Sequence, residues 1–273
     1  TRSGTLNPDY AERFKLYSQP YLNMEYLGFL VDTSIQAVKS SPLRYPGIRK
    51  AINYGFDRVE MMKYLRNNIG RPALHGFVPF GIPGYKTEQV NGYSYQPDSV
   101  RYYLRKAGFP EGNGLDDILL TTTSDYLDIC EFIQYELSKF GINIRIEVAT
   151  GGNFRNKVAN SNLAFFRGSW IADYPDAENY LSLFYSENKS PAGPNYTQFS
   201  NQSFDRLYEK ALTINDPSKR NLTYQEADQL IIDHAPIVPL FYDEVIRFTP
   251  VYVKGFQPNP LNLLIVKHIR IER

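Results

Sequence analysis

The sequence predicts an α/β fold, and two observations carry that prediction. Residues 142–148, I-N-I-R-I-E-V, alternate apolar and polar side chains, the period-two pattern of a half-buried strand. Residues 117–123, D-I-L-L-T-T-T, read as a second strand, and the segment between them carries Ile129, Phe132, Ile133, Leu137 and Phe140 on one helical face. The short connections on both sides of that helix argue for a right-handed strand–helix–strand crossover.

Taken in chain order, the opening stretch to about Asn23 is polar and tyrosine-rich and shows no period. Glu25 to Asp32, E-Y-L-G-F-L-V-D, reads as a buried strand. Pro46 and Gly47 open a helix with Ile48, Ala51, Ile52 and Phe56 on its inner face. Asp57, followed three residues later by Glu60, predicts a capped helix to about Arg66. Gly70 to Tyr85 holds several Gly and Pro and is expected to be a loop, of a length that often serves function. A helix follows Pro97 and Asp98, with Val100, Tyr103, Leu104 and Ala107 inward and Gly108 as its stop. Asp125 is placed to cap the crossover helix and Gly141 to end it. Residues 153–159 are expected to form a short helix and Leu163 to Phe166 a short strand. The W-I-A-D-Y-P-D segment then reads as a loop before a helix over 177–185. Ser186 to Gln202, with Gly193 and two prolines, reads as a loop. Ser203 is assigned as the cap of a helix through Leu212, and Asp216-Pro217 opens another that runs to about His234. Pro236 to Phe241, Val245 to Phe248 and Leu263 to Ile271 read as strands.

Composition excludes several function classes. Thirty basic and 29 acidic residues give a formal net charge of +1, so nothing in the balance favours nucleic acid or an anionic membrane as partner. Cys130 is the sole cysteine, which rules out an intrachain disulfide, and its place on a helical pattern predicts a buried small hydrophobe. His75, His234 and His268 lie far apart without companions at ligand spacing, so no metal site and no cofactor is expected. There is no apolar run of about 18 residues and no signal peptide at the first residues. The aromatic content is high at 15%, with 22 Tyr and 17 Phe, which suits cores and wet clefts alike. Four N-x-[ST] triplets, at Asn188, Asn195, Asn201 and Asn221, read as polar loop or surface composition.

One loop carries chemistry. Asp173, Asp176 and Glu178 cluster around a turn next to Trp170, the only tryptophan. Paired carboxylates can perform acid–base work, but neighbours in sequence do not show two carboxyls facing across a substrate. Asp176 fits a helix cap ahead of residue 177. Asp173 lies further from the helix start and fits an anchor for a cation such as an ammonium group. The motifs G-x-S-x-G, G-x-x-x-x-G-K-[ST], H-E-x-x-H and a helix-opening G-x-G-x-x-G are absent, and no enzyme is expected.

Six segments in order resemble the family 5 extracellular solute-binding proteins, which include oligopeptide- and dipeptide-binding receptors of bacterial ABC importers. Y-L-G-F-L from Tyr26 is similar to the family's hinge strand, and P-G-I-R-K-A-I-N-Y-G-F-D-R from Pro46 to its most specific helix. G-R-P-A and P-F-G-I-P-G-Y, over Gly70 to Tyr85, resemble the loop that follows, and Y-Q-P-D-S-V-R-Y-Y-L-R-K-A-G-F the next helix. R-G-S-W-I-A-D-Y-P-D from Arg167 resembles the W-x-x-D-Y-P-D segment, and A-P-I-V-P-L-F from Ala235 the late strand. Gly55 departs from the family's usual Ala.

The resemblance implies a periplasmic binding protein type II-like fold, with one complete lobe and the C-terminal strands of the other. Residues 1–26 would end the first lobe and lead into the hinge, 27–242 would form the ligand-binding lobe, and 243–273 would return to the first lobe. The implied function is extracytoplasmic binding of peptides, or a similar amine-bearing solute, for delivery to ABC permease subunits. Asp173 would receive the α-ammonium, Trp170 would line a side-chain pocket, Arg167 would meet a carboxylate or serve as an ordinary strand-end arginine, and Tyr126 would face the same cleft. The protein would be monomeric, periplasmic or extracellular, and attached to a membrane only through an N-terminal lipid outside this chain. Some members bind nickel complexes, haem or sugars. The alternatives from other classes are the ligand-sensing lobe of a regulator and a carbohydrate-active enzyme.

Overall fold

The computed structural model describes residues 1 and 3–272. Strand β1, Phe14–Phe29, runs through the centre of a six-stranded sheet. From Leu22 to Leu30 every residue is buried, which explains the unbroken apolar reading of this stretch: both faces of the strand are covered. A single helical turn, α1 (Gln36–Lys39), leads to α2 (Pro46–Tyr54) and α3 (Arg58–Leu65). Pro46 stands in the first turn of α2, and Asp57 caps α3 by accepting from the amides of Val59 at 2.7 Å and Glu60 at 3.2 Å. The loop over 70–85 contributes one short edge strand, β2 (Arg71–Pro72), and α4 (Pro97–Lys106) follows.

The expected crossover is present. Strand β3 (Ile118–Thr122) pairs in parallel with β4 (Ile144–Val148), and α5 (Leu127–Ser138) joins them. Asp125 does not cap α5. A 3-10 turn over Ser124–Tyr126 intervenes, and the Asp125 side chain accepts no helix amide. Helix α6 (Gly151–Ala159) leads to β5 (Phe165–Ile171), which runs five residues beyond the strand read from sequence and takes in Trp170. The pattern F-F-R-G-S-W-I hides the strand, because Gly168 and Ser169 break the apolar run.

Helix α7 (Glu178–Leu181) continues as a 3-10 turn over Ser182–Phe184. Helix α8 (Gln202–Leu212) is capped by Asn201, not Ser203, through the amides of Ser203 at 2.9 Å and Phe204 at 3.0 Å. Helix α9 (Pro217–His234) starts at Asp216-Pro217 as expected. The two strands expected over 236–248 are one, β6 (Ile237–Pro250). Asp243 and Glu244 look like a break in sequence, but they fall where the strand leaves the core and become half-buried. Only Arg270–Ile271 (β8) forms a strand in the last expected segment, paired with Val253–Lys254 (β7). Leu263 to Val266 are exposed outside any strand.

The sheet order is β2-β6-β1-β5-β3-β4, antiparallel on the first side and parallel from β5 onward. The opening stretch, which shows no period in the sequence, thus contains regular structure. Phe14 to Pro20 pairs with Glu244 to Pro250 as an antiparallel arm, and a bulge between Pro20 and Met24 separates it from the main body. Two apolar cores cover the two sheet faces. One holds Leu27, Phe29 and Phe165 with residues of α2 to α5, the other Met24 and Tyr26 with residues of α7 to α9. Buried side chains lock the layers. Arg49 donates to the carbonyls of Leu43, His234 and Ala235, and fully buried Arg58 to those of Asn53 and Pro239. Asn195 lies in a loop, one of the two readings of its triplet, but it is fully buried and not at the surface, and it bridges the carbonyls of Tyr185 and Phe199.

Candidate functional site

Strand β5 builds the site because it outruns its neighbour. Strand β3 touches it only at Thr121 opposite Phe166, whereas β1 accompanies it through Ile171. The amide of Ala172 donates to Leu22 at 2.8 Å and that of Leu30 to Ala164 at 2.9 Å, which fixes the even-numbered positions of β5 as those bonded to β1. The backbone groups of Ser169 therefore face the other edge, where the sheet supplies no partner. A cleft of about 750 Å³ lies along this edge, walled by α6, by the turn before α5 and by Tyr196.

The two faces of β5 present different chemistry, since side chains alternate along a strand. On one face Arg167 lies directly across from Leu27. Its guanidinium donates to Glu25 Oε2 at 2.7 Å and sits 3.5 Å from the centre of the Tyr126 ring. Glu25 is 3% exposed, and its Oε1 accepts from Asn23 at 2.9 Å and from the Tyr126 hydroxyl at 3.0 Å. Burial, reinforced by the Glu25 charge, pushes the Tyr126 phenol up to about 12, so it remains a donor. On the opposite face Phe166, Gly168 and Trp170 follow one another, and Tyr26 lies over Gly168. A side chain at Gly168 would place its Cβ 2.5 Å from the Tyr26 ring, so glycine is what lets the ring lie there.

The expected site residues thus separate. Trp170, Arg167 and Tyr126 all line the cleft, but Trp170 comes from the other face of the strand. Trp170 Nε1 donates to Asn179 Oδ1 at 2.8 Å, and the same oxygen accepts the Asp173 amide at 3.3 Å. Asp173 follows the end of β5, is exposed, and makes no ion pair among the described residues. It does not line the cleft wall itself. Asp176 behaves as a turn cap: its Oδ1 accepts the Glu178 amide at 2.9 Å, while Arg220 grips both carboxylate oxygens at 2.6 and 3.1 Å. Glu178 accepts from the hydroxyls of Tyr174 and Tyr208. Two of the three clustered carboxylates are therefore engaged in holding the loop, and Asp173 is left free of such bonds.

Sequence reasoning missed Glu25, Tyr26 and Asn179. Glu25 carried a signal, as a lone charge within an apolar strand. Asn179 carried none. Among the described residues no group of His, Cys, Asp and Glu could hold a metal ion. Cys130 is fully buried in α5, and burial pushes its thiol up to about 11.

Residues 4–192 match the family of bacterial extracellular solute-binding proteins, family 5, in its middle region. The chain belongs to this family. It is 24% identical over 94% of its length to a dipeptide-binding protein of Escherichia coli, of which it covers 47%. It is 28% identical over 82% of its length to a glutathione-binding protein of Salmonella paratyphi A, covering 44% of that protein. The chain thus spans about half the length of the curated relatives it matches. Its fold is similar to half of HbpA2 from Haemophilus parasuis, with a TM-score of 0.82 at 20% identity over 95% of this chain and 50% of that one. A periplasmic binding protein from Helicobacter pylori, solved in complex with the peptide STSA, superposes with a TM-score of 0.76 at 23% identity over 95% and 49% of the two chains. The mixed α/β class and the single-lobe reading agree with these likenesses. No helix among the described residues is long and apolar enough to cross a membrane.

Proposed function

We propose that this chain forms one wall of a peptide-binding cleft in a solute receptor of an ABC importer. The observation that carries the proposal is the open edge of β5, running beside the cleft and ending at Ile171, two residues before Asp173. An extended peptide satisfies unpaired strand groups by adding as a further strand. Ser169 offers both its N–H and its carbonyl for that purpose. A peptide lying there would direct its ammonium to Asp173 and a side chain against Trp170. The names of the relatives, dipeptide- and glutathione-binding, support the same class of ligand. They are binding proteins, in keeping with a non-enzymatic role.

In this reading Arg167 meets a ligand carboxylate only by sharing its guanidinium with Glu25, and Tyr126 stacks beneath it. Residues 27–242 form the lobe, with 1–26 and 243–273 joining it to a second lobe that closes the cleft. The antiparallel arm and the exposed apolar side chains of Phe248, Leu263, Leu264 and Val266 support that assignment, since such a surface needs a covering partner. The finer reading has a monomer in the periplasm or outside the cell, held by an N-terminal lipid and delivering its ligand to permease subunits.

Calorimetry on the full-length protein with peptides of two to five residues tests the proposal. Saturable binding of free peptides, and none of the same sequences as glycosides or isolated amino acids, is the expected result. A protein that ignores every peptide would overturn it, and turnover of a glycoside would put an enzyme in its place.

A further inference from the structure

We infer that the Tyr26 hydroxyl is a specificity-determining ligand contact, at the base of a subsite walled by Phe154, Val158, Phe166 and Tyr196 that takes a side chain with an apolar body and a polar tip. The inference rests on the peptide-cleft reading above and deepens it.

Tyr26 is 3% exposed, yet it lines the cleft, so the little surface it keeps opens onto that space. Its ring is fixed on three sides: it lies over Gly168, meets Phe77 edge-on at 5.2 Å, and is packed in the core with Met24 and Tyr180. Its hydroxyl makes no hydrogen bond to any described residue, unlike the nearby phenols of Tyr85, Tyr93, Tyr126 and Tyr242, each of which donates to a carboxylate or a carbonyl. Burial keeps the phenol neutral, and the neighbouring Tyr196 adds to this. The group is therefore a donor and an acceptor held rigidly at the cleft wall with no partner among the described residues.

The walls around it are apolar. Phe154, Val158 and Phe166 form a small core of their own, and Tyr196 packs against it. All five residues, Tyr26 included, are aromatic or β-branched and offer no charge. A buried hydroxyl among apolar walls discriminates by what it loses: a ligand side chain lacking a polar tip leaves the hydroxyl unpaired and dry. The subsite thus favours Thr over Val and Gln over Met, side chains of similar volume.

The test uses the full-length protein and alanine-based tripeptides that differ at one position in those pairs, titrated by calorimetry into wild type and Tyr26→Phe. Wild type is expected to bind the polar member of a pair about tenfold more tightly at one peptide position. In Tyr26→Phe that ratio falls to near one, with affinity for the Val and Met peptides unchanged. Equal ratios in the two proteins overturn the inference and leave the peptide reading standing. Failure of wild type to bind any tripeptide overturns both. The Val and Met peptides report directly on folding of the variant, because the substitution removes only an oxygen.

Discussion

The ion pair under the cleft, Glu25 with Arg167, offers the sharpest energetic prediction. The two groups are 2.7 Å apart with side-chain exposures of 4% and 16%. At an effective dielectric of about 20 the gross attraction is about 6 kcal/mol, most of it offset by taking both ions out of water. The pair as a whole is therefore a modest stabiliser, but loss of one member strands a charge. Glu25→Gln leaves the Arg167 guanidinium with no carboxylate and Tyr126 with a weaker acceptor. It is expected to cost about 3–5 kcal/mol. Arg167→Met strands Glu25 and should cost a similar amount. The double variant removes both charges together, so its loss falls short of the sum of the two by about 2 kcal/mol or more. Urea unfolding of wild type and the three variants at neutral pH measures the cycle. Additive losses, or a Glu25→Gln protein within about 0.5 kcal/mol of wild type, would show that the pair is solvated and the reasoning wrong.

Three further outcomes are expected. Asp228 is fully buried in α9, and burial holds its carboxyl up to about 6 despite donation from the amides of Phe77 and Val78 and the hydroxyl of Tyr85. Because the folded value lies above the unfolded one, its contribution is complete below pH about 4 and is lost as pH rises through about 6, a change of about 3 kcal/mol. Asp228→Asn should remove that dependence, and a stability difference from wild type that is constant across urea titrations from pH 4 to 7.5 would contradict it. Gly168→Ala must push the Tyr26 ring aside and should cost about 1–3 kcal/mol, read as a drop in Tm; an unchanged Tm would mean the ring is not packed there. Arg58→Met strands the carbonyls of Asn53 and Pro239, which now receive bonds of 2.9 and 2.6 Å, and should cost about 2–4 kcal/mol in equilibrium unfolding; a neutral result would contradict the buried bonding.

What could be read from the sequence depended on whether a local pattern decided the structure. Asp57, Pro46 and Asp216-Pro217 act on backbone groups within their own turn, so those helix starts were legible. The crossover of β3, α5 and β4 was legible because its periods are undisturbed. The arm of β1 and β6 was not, since Phe14 to Pro20 is half-exposed and its partner strand lies more than 220 residues away at Glu244 to Pro250. The same limit applies at the site. Trp170, Arg167 and Tyr126 were singled out, and all three reach the cleft. Their division between two faces of β5 is hidden, because the sequence reads as strand only to Phe166 and as loop from Trp170. Glu25 takes its meaning from Arg167, 142 positions on, and no pattern along the chain links them. Distance from the helix start separates Asp173 from Asp176 in the sequence; in the structure Ala177 holds the cap position of α7, Asp176 is held by Arg220 and the Glu178 amide, and Asp173 makes no ion pair among the described residues.

The most direct test of the peptide-cleft reading concerns that free carboxylate. Calorimetry on the full-length protein should compare a short peptide with its N-acetylated form, each against wild type and Asp173→Ala. If Asp173 receives the ammonium in a closed cleft, either change alone lowers affinity by about 30- to 1,000-fold, and the two together lower it no further. Asp173→Ala binding the free peptide as tightly as wild type would contradict the proposal outright.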